Sequence, residues 1–401
     1  MRTKPKTTLV IATVMVVCAV FGIVITAWLV SRDSQPAAKD RRPRGRALAG
    51  TSGWPVFRGS RQLLGRASGF LGDSLKFVWK FKTGDEVNSS AAIAAGRVFI
   101  GSNDGSIYAI DLETGHKIWS YETGDMVEAT PCVIDNQVFV GSSDGNMYAL
   151  DSKTGRLNWK YETDGQILGA ANRTIREDDN RTLLVFGSYD GKVYCVDGTT
   201  GQPVWEYETG NYVNGTPAID DGKVVAGGCD AQIHVINLKD GKMIKQIDSG
   251  AYIAASGAIL GGQVYIGNYD GVFLRADIES GQIVWKYTQE DSPFFSSPAI
   301  GDNIVVFGGR DSRVHCVGRN DGKLRWTFGA LAEVDSSPVI CGDKVVVGSE
   351  DGRIYIIRLS DGTKVWSYEI GRPVSSSAAI ADGMVIIGCD DGYVYAFSAD
   401  E

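Results

Sequence analysis

A pattern of about 40 residues repeats through most of the chain and constrains its fold more than any other feature. Its clearest copy runs from Ala109 to Trp119, with an aspartate at Asp111 and a turn glycine at Gly115. Tryptophan fills the last position of the pattern at Trp79, Trp119, Trp159, Trp205, Trp285, Trp326 and Trp366. Lys245 stands where an eighth tryptophan would fall. A repeat of this length indicates an array of equal supersecondary units, each of which needs a neighbour to bury its apolar face.

Each repeat predicts four short antiparallel strands, because alternating β-branched and aromatic residues are interrupted at even intervals by turn residues. Asp-Gly pairs such as Asp104-Gly105 suit tight hairpin turns. The first tryptophan-bearing strand precedes any complete repeat, whereas the last repeat ends at Phe397 without one. The sequence therefore predicts an all-β fold, an eight-bladed β-propeller whose last four-stranded blade is completed by the first strand of the chain. We expect the seven tryptophans to dock each blade against the next.

The repeat also carries a family resemblance. Its Tyr-Ala-x-Asp-x-x-Thr-Gly-x-x-x-Trp pattern and the preceding Gly-Ser-x-Asp-Gly turn resemble the pyrroloquinoline-quinone (PQQ)-like repeat over residues 76–398. An eight-bladed ring of this repeat is similar to outer-membrane assembly factors of the BamB type. The segment Trp54-Pro-Val-Phe57-Arg58-Gly59 resembles the lead-in of membrane-anchored bacterial propellers of this family. Because the same repeat builds both cofactor-free scaffolds and quinone-dependent dehydrogenases, the resemblance implies two different functions.

The amino-terminal region has a different composition and predicts one transmembrane helix before the propeller. Residues 7–30 contain no charged side chain and are long enough to cross a hydrocarbon core of about 30 Å. A signal peptide is the alternative, but its apolar core usually has only about 7–15 residues. The sequence thus divides into a basic flank (1–6), a transmembrane signal anchor (7–30), a flexible basic linker (31–53) and the propeller (54–401).

Flanking charge and family resemblance disagree about the side of the membrane on which the propeller lies. Six basic residues follow the predicted helix and three precede it, which favours a cytoplasmic propeller. Long folded domains can nevertheless be translocated regardless of such charges. On the resemblance, we expect a single-pass membrane protein whose propeller is extracytoplasmic, in the periplasm.

Net charge excludes nucleic acid as a partner of the propeller. The whole chain carries −8, but residues 54–401 contain 31 basic and 46 acidic side chains, a net charge of −15. Affinity for nucleic acid depends largely on phosphate neutralisation by Lys and Arg. We therefore expect protein partners of the cell envelope, such as an assembly complex.

The resemblance further implies what an enzyme of this family would need: a vicinal Cys-Cys disulfide, basic groups for the three carboxylates of the quinone, and a Ca²⁺ site. The sequence has no Cys-Cys pair. Aligning the repeats places one residue of each at the entrance of its first strand, and we call these eight residues the rim. The rim consists of Asn88, Glu128, Leu168, Asn214, Ala254, Phe295, Asp335 and Ser375. It contains two carboxylates and no Lys or Arg, the wrong sign for a tricarboxylate.

We therefore predict no catalytic, cofactor-binding or metal-binding residues and no cofactor. Asn88, Glu128 and Asp335 are the residues that could hold a cation near the axis. His116 lies in a turn, whereas His234 and His315 occupy equivalent strand positions in different repeats, which favours packing over a metal site. A PQQ-dependent oxidoreductase and a ligand-sensing ectodomain are the alternative functions.

Aromatic residues in loops predict an interaction surface on one face of the propeller. Tyr189 and Tyr269 lie at the tips of Ser-Tyr-Asp-Gly and Asn-Tyr-Asp-Gly turns. The candidate interaction face consists of Tyr189, Tyr212, Tyr252, Tyr269, Phe294 and Phe295. Because aromatic residues are enriched in protein interfaces, this cluster favours a membrane-anchored, non-catalytic scaffold for protein interaction and assembly.

Overall fold

The computed structural model describes residues 53–176, 179–289 and 292–399. Within these ranges the chain forms eight antiparallel sheets, the blades of a β-propeller, which confirms the fold that the repeat predicts. The first strand of a blade contacts the first strands of neighbouring blades and lies nearest the axis, and we call it the inner strand. The fourth strand is the outer strand, and its residues alternate between buried and exposed.

The strands of each blade follow one another from the axis outwards. Blade 1 consists of Ala92–Ala94, Arg97–Gly101, Ser106–Asp111 and Lys117–Glu122; blade 2 of Cys132–Ile134, Gln137–Gly141, Asn146–Asp151 and Leu157–Glu162; and blade 3 of Asn172–Ile175, Thr182–Gly187, Lys192–Asp197 and Pro203–Glu208. Blade 4 consists of Ala218–Asp220, Lys223–Gly227, Gln232–Asn237 and Met243–Asp248; blade 5 of Ala258–Leu260, Gln263–Gly267, Val272–Asp277 and Ile283–Thr288; and blade 6 of Ala299–Ile300, Ile304–Gly309, Arg313–Gly318 and Leu324–Gly329. Blade 7 consists of Val339–Cys341, Lys344–Ser349, Arg353–Arg358 and Lys364–Glu369, and blade 8 of Ala379–Ala381, Met384–Cys389, Tyr393–Ala399 and Leu75–Lys82.

Blade 8 takes its outer strand from the beginning of the chain, as the sequence predicts. Leu75–Lys82 pairs antiparallel with Tyr393–Ala399, and Phe81 lies opposite Val394 in this register. The pairing joins the two ends of the repeat array within one sheet. It thereby leaves no unpaired blade edge at the closure of the ring.

Six of the seven repeat tryptophans contact the next blade in the same way. The indole Nε1 of Trp205, for example, donates a 2.8 Å hydrogen bond to the carbonyl of Leu238. The equivalent bonds run from Trp79, Trp119, Trp159, Trp285 and Trp326 to Leu112, Ser152, Gly198, Arg319 and Leu359. Each indole also covers a turn glycine of that blade, such as Gly241, where a Cβ atom would come within 2.8 Å of the Trp205 ring. The turn glycine is therefore part of the docking contact.

Two positions depart from this docking pattern. Trp366 faces the closing blade, whose outer strand comes from the amino terminus, and it packs edge-on against Phe397. Lys245 extends over Gly281 in the place of the eighth indole, with its Nζ 3.4 Å from the carbonyl oxygen of Ser280. The glycine of the pattern is thus retained where the tryptophan is absent.

A lead-in segment, residues 54–67, crosses one end of the propeller axis, an arrangement that the sequence analysis did not predict. Trp54 exchanges two backbone hydrogen bonds with Ile93 in blade 1. The backbone N–H groups of Val133, Ile219, Ile259, Ile300 and Ile340 donate to the carbonyls of Pro55, Arg61, Gln62, Leu64 and Gly65. In blade 3 the Asn172 side chain donates to Arg61, and Arg66–Ala67 adds a short parallel strand to blade 7. The lead-in segment thus contacts the inner strands of blades 1 to 7 and closes this end, which we call the closed face.

Arg58 holds the middle of the lead-in segment in place. Its guanidinium is buried and donates hydrogen bonds to the carbonyls of Ser337, Pro298 and Pro338. Burial lowers its pKa to about 9. A Cβ atom on Gly65 would collide with this guanidinium, which gives the glycine a steric role in the segment.

The predicted transmembrane helix lies outside the described residues, as do the basic flank and residues 31–52 of the linker. None of the helices that the structure does describe has the length and apolar composition needed to span a membrane.

Candidate functional site

The rim surrounds the end of the axis opposite the lead-in segment, and we call this end the open face. Each rim residue lies four positions before the inner strand of its blade, whereas the lead-in segment bonds to residues within these strands. The Asp-Gly turns and the loops that connect successive blades lie beside the rim; Asn103, for example, follows the second strand of blade 1 and donates to the side chain of Asn88. Repeat geometry therefore brings loop residues from all blades to one surface.

A chamber of about 200 Å³ lies on the axis below the rim. Its walls are formed by the rim and, in each blade, by the residue two positions after the rim residue, just before the inner strand begins. Phe57 of the lead-in segment also lines it. At this second level seven of the eight blades carry a hydroxyl, and we call these residues the hydroxyl ring. They are Ser90, Thr130, Thr216, Ser256, Ser297, Ser337 and Ser377. Blade 3 has Ala170 at the equivalent position.

The hydroxyl ring links neighbouring blades. The backbone N–H of Ser297 donates to the Ser337 hydroxyl at 2.9 Å, and the N–H of Ser337 donates to Ser377 at 2.9 Å. Four further bonds of this kind join Ala170 to Thr216, Thr216 to Ser256, Ser256 to Ser297, and Ser377 to Ser90. Each of these six hydroxyls thus accepts a hydrogen bond from the preceding blade in the ring. The recurring Ser or Thr at one repeat position is the sequence signal that could have revealed this ring.

Carboxylates dominate the half of the open face that belongs to blades 7, 8, 1 and 2. Burial raises the pKa of Asp390 to about 6, and repulsion by Glu86 adds to this effect. Burial also raises the pKa of Glu350, with repulsion from Asp390, and that of Glu128, with repulsion from Glu86. The negative charge of this half is therefore incompletely compensated by the side chains around it.

Aromatic side chains cover the other half of the open face, from blade 3 to blade 6. Tyr189 and Tyr212 stack with their ring centroids 4.9 Å apart, and Tyr269 packs on Phe295 at 5.0 Å. Tyr212, Tyr252 and Tyr269 are each about half exposed, with relative exposures of 51%, 56% and 49%. We call these five residues the aromatic patch.

Arg310 joins the two halves of the open face, a role that the sequence analysis missed. Its guanidinium lies 4.0 Å from the centroid of the Phe295 ring. The same group forms ion pairs with Asp335 at 2.6 Å and with Glu333 at 3.3 Å. Arg310 occupies the turn position that holds Tyr269 in the preceding blade, so only the alignment of turns could have pointed to it.

Phe294 does not belong to the aromatic patch, and its assignment to the interaction face is wrong. The side chain is completely buried and lies among Phe273, Phe307 and His315. Phe294 and Phe295 are adjacent in an extended segment, so their side chains point in opposite directions. Only Phe295 of this pair reaches the open face.

The two strand histidines have partners inside their blades. His234 is buried, with Nε2 2.8 Å from the Asp230 carboxylate and Nδ1 3.0 Å from the Tyr207 hydroxyl. His315 repeats this arrangement with Asp311 and Tyr287. Within the described ranges, the His, Cys, Asp and Glu side chains form no group of three or more that could hold a metal ion.

The chamber residues do not fit PQQ. The chamber has no Lys or Arg in its lining, whereas the quinone carries three carboxylates. Its volume of about 200 Å³ also falls below the roughly 300–1,000 Å³ of pockets that enclose drug-sized ligands. The described lining of the chamber therefore offers no cation for the carboxylates of that cofactor.

A second, larger cavity lies on the closed face. It measures about 940 Å³ and is bordered by the lead-in segment and by blades 6 and 7. Arg66 and Asp302 form a 2.7 Å ion pair in its lining, and the neighbouring Phe70 is 72% exposed. This groove lies at the opposite end of the propeller from the aromatic patch.

Eight four-stranded blades built from this repeat define an eight-bladed propeller of the PQQ-like class. A family model described as outer membrane protein assembly factor BamB matches residues 74–287 and 288–401, which together form most of the chain. The chain therefore belongs to this family. No curated protein sequence matches the chain.

Solved structures with the same fold include a BamB protein, a designed protein and an alcohol dehydrogenase. BamB from Moraxella catarrhalis aligns with a TM-score of 0.67 and 19% identity, over 81% of this chain and 100% of that one. The computationally designed Ika8 protein aligns with a TM-score of 0.70 and 22% identity, over the same 81% and 100%. Quinohemoprotein alcohol dehydrogenase from Comamonas testosteroni aligns with a TM-score of 0.73 and 14% identity, over 86% and 80%. At these identities the likeness establishes the fold alone.

Proposed function

We propose that this protein is a non-catalytic scaffold of the cell envelope, anchored by residues 7–30, whose propeller docks a protein partner in the periplasm. The aromatic patch is the observation that carries this proposal. Membership of the BamB family supports a role in an assembly complex. The chamber lining, which has no cation for a quinone carboxylate, supports the absence of PQQ chemistry.

The aromatic patch has the physical properties of a docking surface. Four of its five rings already pack against one another in two pairs, so a partner would immobilise few additional side chains on binding. Tyrosine combines a large apolar area with a hydroxyl that remains able to hydrogen-bond. Truncating central aromatic side chains of an interface typically costs at least about 2 kcal/mol of binding free energy.

Affinity capture from detergent-solubilised membranes tests the docking role. The full-length protein and the Tyr212→Ala, Tyr252→Ala double variant are compared, and bound proteins are identified by mass spectrometry. The Phe70→Ala variant is the matched control, because Phe70 is also exposed but lies beside the closed-face groove. We expect a partner that the parent and the control retain and the double variant loses. Equal recovery by all three would show that the aromatic patch is not the docking surface.

A PQQ-dependent oxidoreductase is the second candidate, because quinohemoprotein dehydrogenases share the fold. Calorimetric titration of the purified protein with PQQ and Ca²⁺ distinguishes it from the scaffold. We expect no saturable heat of binding. Stoichiometric binding at micromolar affinity would replace the scaffold proposal with the enzyme.

A further inference from the structure

The axial chamber combines features that the docking proposal does not use. Its hydroxyl ring is more than nine-tenths buried, with relative exposures between 4% and 7%. Six of these hydroxyl oxygens already accept a backbone N–H, as described above. A hydroxyl has one hydrogen to donate in addition to its acceptor lone pairs, so their O–H groups are left as donors at the chamber wall. Buried donors of this kind require a partner, either water or a bound molecule.

The upper wall of the chamber is chemically two-sided. Leu168, Ala254 and Phe295 give apolar surface in blades 3, 5 and 6, with the polar Asn214 of blade 4 between Leu168 and Ala254. Blades 7, 8, 1 and 2 contribute Asp335, Ser375, Asn88 and Glu128, which accept or donate hydrogen bonds. A ligand that is complementary to this wall has one apolar side and one side with hydroxyl or similar polar groups.

Charge narrows the class of ligand further. The Glu128 carboxylate on the rim repels anions, whereas the charge of Asp335 is paired with Arg310 beside the rim. The chamber lining itself contains no Lys or Arg. Among the described residues, no three or more His, Cys, Asp or Glu side chains come together as a group that could hold a metal ion. A neutral molecule that both donates and accepts hydrogen bonds can pair with the polar groups of the chamber wall without bringing an unpaired charge into the chamber.

We infer that the chamber is a binding site for a small neutral cyclic polyol, such as a monosaccharide. The C–H face of the ring would lie on Leu168, Ala254 and Phe295, and its hydroxyls would donate to the rim carboxylates and accept from the hydroxyl ring. The volume of about 200 Å³ limits the ligand to one such ring. This site shares Phe295 with the aromatic patch but goes beyond the docking proposal, because its other lining residues lie inside the axial chamber.

Isothermal titration of the full-length protein with glucose and with myo-inositol tests the inference. Glucuronate serves as the anionic comparison. We expect saturable one-to-one binding of a neutral ring, with a Kd in the millimolar range or below, and weaker binding of glucuronate. No saturable heat from either neutral ring, or equal binding of glucuronate, would overturn the assignment.

Two variants place the binding in the chamber. Ala254→Leu puts a larger side chain at the rim and should weaken polyol binding by about tenfold, or about 1.4 kcal/mol. Ala332→Leu is its control, because this half-buried alanine does not line the chamber. Ala170→Ser adds the missing hydroxyl and should tighten binding about fivefold, the effect of one net hydrogen bond. Unchanged affinity in both Ala254→Leu and Ala170→Ser would show that any polyol binds elsewhere.

Outcomes for the chamber and for the docking surface can be separated. Thermal melts establish that the variants are folded, and Glu128→Gln gives a second readout if Ala254→Leu does not fold. Removing the Glu128 charge should reduce the preference for glucose over glucuronate, and an unchanged preference would contradict the inference. Tyr212→Ala should leave polyol binding intact, whereas Ala254→Leu should leave protein capture intact.

Discussion

At the residue scale, Asp390 shows how the acidic half of the open face affects stability. Its carboxylate accepts hydrogen bonds from Ser375 and Asn88, but burial still raises its pKa from 3.8 to about 6. Between these two values the folded protein binds a proton that the unfolded chain does not. The contribution of Asp390 to stability therefore falls as the pH rises from about 4 to about 6.

Asp390→Asn should consequently stabilise the protein at pH 7 and have little effect at pH 4. We expect a gain on the order of 1 kcal/mol at pH 7, after allowing for solvent screening of this partly exposed group. Denaturant titrations at both pH values measure the difference. Asp221→Asn is the control, because Asp221 is 94% exposed. An equal effect of Asp390→Asn at the two pH values would contradict the explanation.

Lys245 is a second residue whose replacement is informative. Val235 lies opposite Lys245, where blades 1, 2 and 8 have alanine opposite tryptophan, and this suggests that an indole would not fit. The structure removes the objection, because Trp285 lies opposite Arg275, a larger residue than valine, and still docks on the next blade. Lys245→Trp should therefore stabilise the protein by about 1 kcal/mol through burial against Gly281. Trp205→Ala is the opposite test and should cost roughly 3–5 kcal/mol. Thermal melts measure both changes, and a destabilised Lys245→Trp variant would show that the site cannot admit the ring.

At the element scale, the lead-in segment stabilises the inner strands of several blades together. A chain that begins at residue 68 keeps the closing strand Leu75–Lys82 but loses these contacts. We expect a loss of several kcal/mol, since each lost hydrogen bond contributes about 1 kcal/mol and Arg58 and Leu63 are both buried. Amide hydrogen exchange should accelerate at Ile219 and Ile300, with a chain beginning at residue 53 as the control. Unchanged exchange there would mean that the lead-in segment is not structural.

The closing strand could be predicted from the sequence, whereas the lead-in segment could not. Leu75–Lys82 carries the repeat pattern, including Trp79, so its position in blade 8 follows from counting. Residues 54–67 carry no repeat and bond mainly through backbone groups, which any sequence can supply. The fit of Gly65 to Arg58 depends on two residues whose contact is visible only in three dimensions.

At the scale of the whole molecule, the sequence predicted the eight-bladed ring and the common location of five aromatic loop residues on one of its faces. The position of each loop within the repeat was sufficient to place five aromatic residues on one face. They are Tyr189, Tyr212, Tyr252, Tyr269 and Phe295. The position within the repeat could not show that only Phe295 of the pair Phe294-Phe295 reaches the open face. The direction of a side chain in an irregular segment depends on local backbone geometry. The chamber depends on the positions of eight inner strands around one axis, so it too required the structure.

Membrane topology is the prediction that concerns the molecule as a whole. If residues 7–30 form an uncleaved anchor and the propeller is periplasmic, protease added to spheroplasts should digest the propeller. A cytoplasmic marker protein should survive the same treatment. A propeller that resists protease until the inner membrane is lysed would instead support the orientation that the flanking charges favour.

The path of the lead-in segment has a consequence for the order in which the blades can assemble. Its backbone hydrogen bonds run in chain order, from Trp54 with blade 1 to Gly65 with blade 7. Each successive blade therefore meets backbone groups of the segment next to those taken by the blade before it. Leu75–Lys82, in contrast, precedes every other blade strand in the chain but pairs with Tyr393–Ala399, the last described strand. Seven blades can thus dock on the segment in chain order, whereas the eighth closes only when that last strand is present.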